Sequence, residues 1–223
     1  MKVINLTHGK NPNTSEYWNS EFETEGRILF TEEYANYPSG YRWDALRFGI
    51  VGSRMRLRGK FLDIACGLGH FCRYIKARNP ELEIWGMDFS PVAINYAKKI
   101  AKVAGMKINF IVGNAQKLPF EDNSFDIVSA QEVIEHLNNP DLFLEEIKRI
   151  LKLGGKAYIT TPWKELIHKG LASMEHIKEW TPREFSDLVV RYFPGGEIVL
   201  PPTMVDAKTG PQKVFWFLVI LTK

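Results

Sequence analysis

The sequence predicts an α/β fold: a seven-stranded, mostly parallel sheet with helices on both faces and a C-terminal antiparallel hairpin. Three observations predict it. From residue 60 onward, short continuously apolar runs alternate with segments of helical periodicity, as in strands buried on both faces. Cap and turn residues separate these segments. The last two apolar runs, Glu197–Leu200 and Val214–Leu221, have no helical segment between them and so should pair antiparallel.

Each element has its own signal. Lys60–Cys66 is a short apolar run stopped by Gly67. In His70–Arg78, Phe71, Tyr74, Ile75 and Arg78 fall at helical spacing, and Asn79-Pro80 ends the segment. Glu83–Asp88 is a second strand. Ser90-Pro91 offers an N-cap with proline at the first helical position, and Ala93, Ala97, Ile100, Ala101 and Ala104 share one face up to Gly105. Ile108–Gly113 and Phe125–Ala130 are the third and fourth strands. Pro140–Leu151 is a helix, Gly154-Gly155 breaks it, and Lys156–Thr161 is a fifth strand. Thr181-Pro182-Arg183-Glu184 is a capping box opening a helix with Phe185, Leu188 and Val189 inward.

Residues 1–58 lack this rhythm and are rich in aromatics, among them Tyr17, Trp18, Phe22, Tyr34, Tyr37, Tyr41 and Trp43. They are expected to form an amino-terminal helical and aromatic segment, either a lid over a ligand or a helix packed on the sheet. Residues 59–223 form the main domain, and 163–180 intervene as an insertion above the carboxyl edge of the sheet.

At 223 residues the chain can bury roughly 70% of its unfolded surface. A composition 45% hydrophobic and 25% charged excludes a disordered or low-complexity chain. Twenty-nine basic against 26 acidic residues leave +3, too weak a bias for a nucleic-acid binder. The basic run Arg54, Arg56, Arg58 and Lys60 reads as a solvated linker or as a contact for an anionic substrate. Cys66 and Cys72 lack the spacing of a zinc site or disulfide framework, which fits a reducing, cytoplasmic setting. The amino terminus has no signal-peptide core, and the longest apolar run is far short of a membrane span.

In open α/β sheets, ligands sit at the carboxyl ends of the strands near the point where strand order reverses. The first strand here is followed by Gly67-Leu68-Gly69-His70, two glycines that let backbone approach a ligand ahead of a helix N-terminus. Asp88, 21 residues after Gly67, ends the second strand, where a carboxylate can accept both hydroxyls of a ribose. Alternatively, Asp88 caps the helix near Ser90 and the glycines only make a tight turn. A dinucleotide loop wants glycine or alanine where this chain has Cys72, so an NAD-dependent oxidoreductase fits less well than an enzyme using a single nucleoside. A non-catalytic binding module is a third reading.

The segments LDIACGLGHF (62–71), WGMDFS (85–90), GNAQKLPFEDNSFDIVSAQEVIEHL (113–137) and FLEEIKRILKLGGKAYITTP (143–162) resemble the class I S-adenosylmethionine-dependent methyltransferases, of the small-molecule type often labelled type 11. The resemblance implies a Rossmann-like sheet, S-adenosyl-L-methionine as cofactor and a small-molecule acceptor, with oxygen favoured as the methylated atom. It implies that Asp63, Gly67 and Gly69 surround the methionine moiety, with Cys66 also among the cofactor-binding residues, that Asp88 holds the ribose, and that Phe89 packs on the adenine. Asn114 and Ala115 match the pair that contacts adenine, although the family more often has Asp at the first of them. Gln131 flanks the methionine and the reacting methyl. His136 is the catalytic candidate, as a base or an acceptor contact. A run similar to Glu132-Val133-Ile134-Glu135-His136 is associated with a divalent metal in methyltransferases of ubiquinone biosynthesis, but here it can equally order the loop, and no metal is assigned. His168 and His176 are further candidates for acceptor contact or plain surface residues. Trp163 and Trp180 either wall an apolar pocket or pack.

Overall fold

Local chemistry sets the helix starts. The Ser90 side chain accepts from the Ala93 amide with Pro91 at the first helical position, and Asn139 does the same for Leu142 ahead of Pro140. Thr181 and Glu184 exchange both bonds of a capping box. The computed structural model describes residues 14–16, 19, 22–23, 40–164, 176–200, 204–206, 210–212 and 216–223, with backbone alone for 40–46, 204–206 and 210–212. Its elements run α1 (Gly40–Arg54), β1 (Lys60–Ile64), α2 (His70–Arg78), β2 (Glu83–Asp88), α3 (Pro91–Val103), β3 (Asn109–Val112), β4 (Phe125–Gln131), a 3-10 turn (Ile134–His136), α4 (Pro140–Ile150), β5 (Leu151–Pro162), α5 (Pro182–Val189), β6 (Glu197–Val199), β7 (Met204–Asp206), β8 (Gly210–Gln212) and β9 (Trp216–Thr222).

The sheet has seven strands in the order β3-β2-β1-β4-β5-β9-β6. β1 to β5 pair parallel, and β9 runs antiparallel to both β5 and β6. The expected terminal hairpin is therefore the β6–β9 pair, with β9 inserted next to β5. Between its two strands a β7–β8 ribbon forms, which the sequence did not suggest.

Two cores cover the two faces. One gathers Phe61, Phe71, Ile75, Ile94 and Ala97 with Val51 and Met55 from α1. The other gathers Phe143, Leu144 and Ile147 of α4 with Phe185 and Leu188 of α5 against Val128, Ile159 and Phe217. Helices α1 to α3 thus lie on one face and α4 and α5 on the other, and α1 supplies order that residues 1–58 did not show as periodicity.

β5 begins at Leu151, directly after α4, instead of after Gly154-Gly155. The glycine pair makes a bulge within the strand: the register shifts between the Phe125↔Leu151 and Ile127↔Lys156 pairs. Lys223 stitches the bulge, donating to the Gly155 carbonyl at 3.1 Å and accepting from the Gly154 amide at 2.8 Å. Strand order reverses between β1 and β4, so their carboxyl ends open a crevice.

Candidate active site

The turn after β1 is built from left-handed backbone. Ala65 (φ 56), Gly67 (φ 52) and Gly69 (φ 74) alternate with ordinary residues. The Cys66 amide donates to the Met87 carbonyl at 2.9 Å and the Gly69 amide to the Cys66 carbonyl at 2.8 Å, pinning the turn to β2. A Cβ on Gly69 would stand 2.7 Å from the Phe110 ring, and one on Gly67 3.1 Å from the Phe22 ring. Gly69 is therefore required by close approach as well as by conformation, and Gly67 chiefly by conformation.

Asp88 accepts from the Gly67 amide at 2.8 Å and from the Ser90 amide at 2.9 Å. It thus organises the entry to α3 and the glycine turn together. Two backbone donors use about half of a carboxylate's acceptor sites, leaving the rest for a ligand. Burial raises its carboxyl pKa, and the amide hydrogen bonds oppose that rise.

Above these residues lies a cleft of about 210 Å³, partly open to solvent. One end is walled by Met87, Asp88, Phe89, Gly113, Asn114, Ala115 and Gln116, the other by Ala65, Glu132, Val133, His136, Leu137 and Asn138, with Phe22 reaching in from the amino-terminal segment. The Asn114 Oδ1 accepts from the Gln116 amide at 2.8 Å, so its amide hydrogens remain as donors. Of the residues singled out by sequence, Phe22, Asp88, Phe89, Asn114, Ala115, Glu132 and His136 line this cleft.

Asp63, Cys66, Gly67, Gly69 and Gln131 do not line it; they lie beneath it. Asp63 turns inward, taking hydrogen bonds from Ser129 and from the Cys72 thiol at 3.6 Å, and burial pushes its pKa up to about 7. Burial raises the pKa of both the Cys66 and Cys72 thiols as well, which disfavours the thiolate. Gln131 donates to the Ser129 hydroxyl at 3.3 Å, and its buried Oε1 has no partner.

At the other end, Glu132 adopts φ 54 as its amide donates to the Thr160 carbonyl at 3.1 Å. Two non-glycine residues in left-handed backbone, Ala65 and Glu132, thus sit at the ends of adjacent β1 and β4 and face the cleft, as strained positions at functional sites do. The Glu132 side chain pairs with Arg47 of α1 at 3.6 Å. Glu135 is fully buried. The Thr161 hydroxyl donates to its Oε2 at 3.1 Å, and its Oε1 has no partner. Burial first, then the neighbouring Glu132 carboxylate, pushes its carboxyl well above the usual range.

The Glu135 carbonyl accepts from the amides of Ile177 and Lys178 at 2.8 and 3.1 Å, which draws the insertion back over the turn. The His176 ring comes to 5.1 Å from that of His136. One ligand atom each from Glu135, His136 and His176 lies within 4.8 Å of the others, so the third member of this cluster is His176 and not Glu132. Trp163 and Trp180 pair as an isolated bridge and pack on Phe217 and Phe185, in the core and not as cleft walls. Tyr17, Trp18 and His168 lie outside the described residues. Ala65 and Arg47 were missed from sequence. Ala65 was findable as the residue leaving the first strand, whereas nothing local marks Arg47.

Residues 62–159 match the family profile described as a methyltransferase domain. Norajmaline N-methyltransferase of Rauvolfia serpentina is 34% identical over 119 residues, 52% of this chain and 40% of that protein. Ubiquinone biosynthesis O-methyltransferase of Chelativorans sp. is 32% identical over 126 residues, 56% of this chain and 49% of that protein. The chain thus spans about half or less of the length of these curated relatives. The crystal structure of the PH0226 protein of Pyrococcus horikoshii superposes with a TM-score of 0.67 at 23% identity, covering 88% of this chain and 97% of that one, and shows the same fold. With the switch-point cleft, these matches make residues 62–159 similar to the methyltransferase domain of S-adenosylmethionine-dependent enzymes, whose cofactor is S-adenosyl-L-methionine. The two relatives differ in acceptor atom, one nitrogen and one oxygen by name.

Proposed function

We propose that this protein transfers the methyl group of S-adenosyl-L-methionine to an oxygen of a small molecule. The observation that supports it is the polarity of the cleft, with nucleoside-binding groups at one end and the His136 side at the other. Asp88 accepts the ribose hydroxyls, Phe89 and Ala115 flank the adenine, and the Asn114 amide donates to its ring edge. Gly67 and Gly69 let the methionine portion lie on backbone. Asp63 and Gln131 shape that floor from below, Cys66 through its backbone. Arg47, already paired with Glu132, is the cation for the methionine carboxylate. These assignments extend to residues that lie under the cleft because a bound ligand is held by backbone as well as by side chains.

Methyl transfer from a sulfonium is an in-line displacement that disperses positive charge. The protein therefore has mainly to align the acceptor behind the methyl carbon and exclude water. An oxygen acceptor arrives protonated, and His136 is the side chain lining the acceptor end that can handle that proton. Phe22, against Gly67, marks the amino-terminal segment as a cover for the cofactor. Two free buried cysteines suit a cytoplasmic location. Among the described residues no helix is long and apolar enough to cross a membrane.

The test is incubation of the protein with methyl-labelled cofactor and fractionated cell extract, followed by identification of the labelled product. An O-methylated small molecule is expected. A labelled N- or C-methyl product would overturn the choice of oxygen, and label recovered only in macromolecules would overturn the small-molecule acceptor.

A further inference from the structure

We infer that Glu135, His136 and His176 form a binding site for one divalent transition-metal ion at the acceptor end of the cleft. The ion-binding claim stands apart from the proposed function, and its catalytic consequence rests on that reading.

The donor set is already gathered. Its ligand atoms lie within 4.8 Å of one another, and the His136 Nε2 is 3.9 Å from the Glu135 Oε1. An ion bound at about 2.0–2.2 Å holds its ligands roughly 3–4 Å apart, so small side-chain rotations close the site. The Glu135 Oε1 is the independent pointer. It belongs to a side chain with no exposure, its other oxygen is satisfied by Thr161, and it has no hydrogen-bond partner although it faces the histidine pair. A buried carboxylate oxygen left unpartnered is costly unless a cation or proton meets it.

The supporting bonds orient ligands as outer groups do in metal sites. Glu179 takes the His176 Nδ1 at 3.1 Å, which leaves Nε2 as the ring atom for an ion. Thr161 fixes the rotamer of Glu135. The Ile177 and Lys178 amides, both on the Glu135 carbonyl, fix the distance between the two chain segments. Two imidazoles and one carboxylate select borderline ions such as Zn²⁺, Co²⁺ or Ni²⁺ over Mg²⁺, which prefers an all-oxygen shell.

His136 lines the cleft, so an ion here has a coordination position within reach of an acceptor oxygen. A hydroxyl bound to it loses its proton to water, because the ion lowers the hydroxyl pKa. The oxygen lone pair then attacks the methyl carbon, and the carbon–sulfur bond breaks with its pair retained on sulfur. The products are a methyl ether, S-adenosylhomocysteine and one released proton. With the ion bound, His136 serves the acceptor through it; in the ion-free protein His136 handles the proton itself.

The test is calorimetric titration of chelator-treated full-length protein with Zn²⁺, with Co²⁺ absorption spectra read in parallel. S-adenosylhomocysteine binding is measured on every sample. One Zn²⁺ per chain is expected, with ligand-field bands for Co²⁺. His176→Ala and the near-isosteric Glu135→Gln, which keeps an acceptor for Thr161, should each weaken Zn²⁺ at least about 10–100-fold with S-adenosylhomocysteine affinity unchanged. The inference is overturned if native protein takes up neither ion at millimolar concentration, or if either variant that still binds S-adenosylhomocysteine binds Zn²⁺ as native protein does. Metal uptake without S-adenosylhomocysteine binding would contradict the proposed function and leave the ion site standing.

Discussion

The carboxylate of Asp88 accepts the amide hydrogen of Gly67 at 2.8 Å, joining the end of β2 to the turn that leaves β1. One side chain therefore shapes the floor of the cleft and forms part of its wall. The same carboxylate takes the Ser90 amide at 2.9 Å, so the start of α3 is tied in as well.

Replacing Asp88 by Asn keeps the shape but removes the charge from its bonds to two amides and from the ribose contact proposed for it. Charge-assisted hydrogen bonds contribute about 1.5–3 kcal/mol, so S-adenosylhomocysteine affinity should fall roughly 10- to 100-fold by calorimetry. Thermal stability should fall too, because the turn loses its anchor. Unchanged affinity would show that the ribose is held elsewhere.

Gly69→Ala places a methyl 2.7 Å from the Phe110 ring at φ 74. Left-handed strain and overpacking together should cost roughly 2–4 kcal/mol in denaturant unfolding. Adding Phe110→Leu should recover the steric part and leave the backbone part. A double variant no more stable than Gly69→Ala alone would show that the ring contact is not what excludes a side chain.

Ala65 holds φ 56 without a glycine's freedom. Ala65→Gly should relieve about 1 kcal/mol of strain, offset in part by the extra entropy of the unfolded chain, so the melting temperature should hold or rise. Ala65→Val should destabilise, since a branched side chain fits this backbone worst, and should weaken cofactor binding by intruding into the cleft. A valine variant with native stability and affinity would contradict the placement.

Asp63 gives a pH signature. Burial pushes its pKa in the fold up to about 7, against an ordinary 3.8. The folded state therefore holds a proton that the unfolded state releases between those values. The stabilisation is complete below about 4 and is lost as pH rises towards 7, on the order of 4 kcal/mol across the window. Asp63→Asn should show a flatter stability profile from acid to neutral pH than native protein, measured by urea unfolding. Parallel profiles would contradict the burial argument.

What the sequence disclosed was local or evenly spaced. Ser90-Pro91 and the Thr181–Glu184 capping box are bonds within one helical turn, and both formed as read. Asp88 was found from its place at the end of the second strand, Phe89, Asn114, Ala115 and His136 from the resemblance of their segments to the family, and all five line the cleft. A helix packed on the sheet was among the expectations for residues 1–58, but the bounds of α1 were not legible, because Gly40, Gly49 and Gly52 dilute its pattern and its order comes from Val51 and Met55 packing into the core. Phe22, Arg47 and His176 reach the site from distant segments, and no spacing rule places them there. The inward turn of Asp63 was hidden for the same reason, since its partners Cys72 and Ser129 lie on other elements.

The most direct measurement is a calorimetric titration of the folded, full-length chain with S-adenosylhomocysteine. A single binding site is expected, strongly weakened in Asp88→Ala. No heat of binding across several temperatures, with the protein shown to be folded, would contradict a nucleoside cofactor in this cleft.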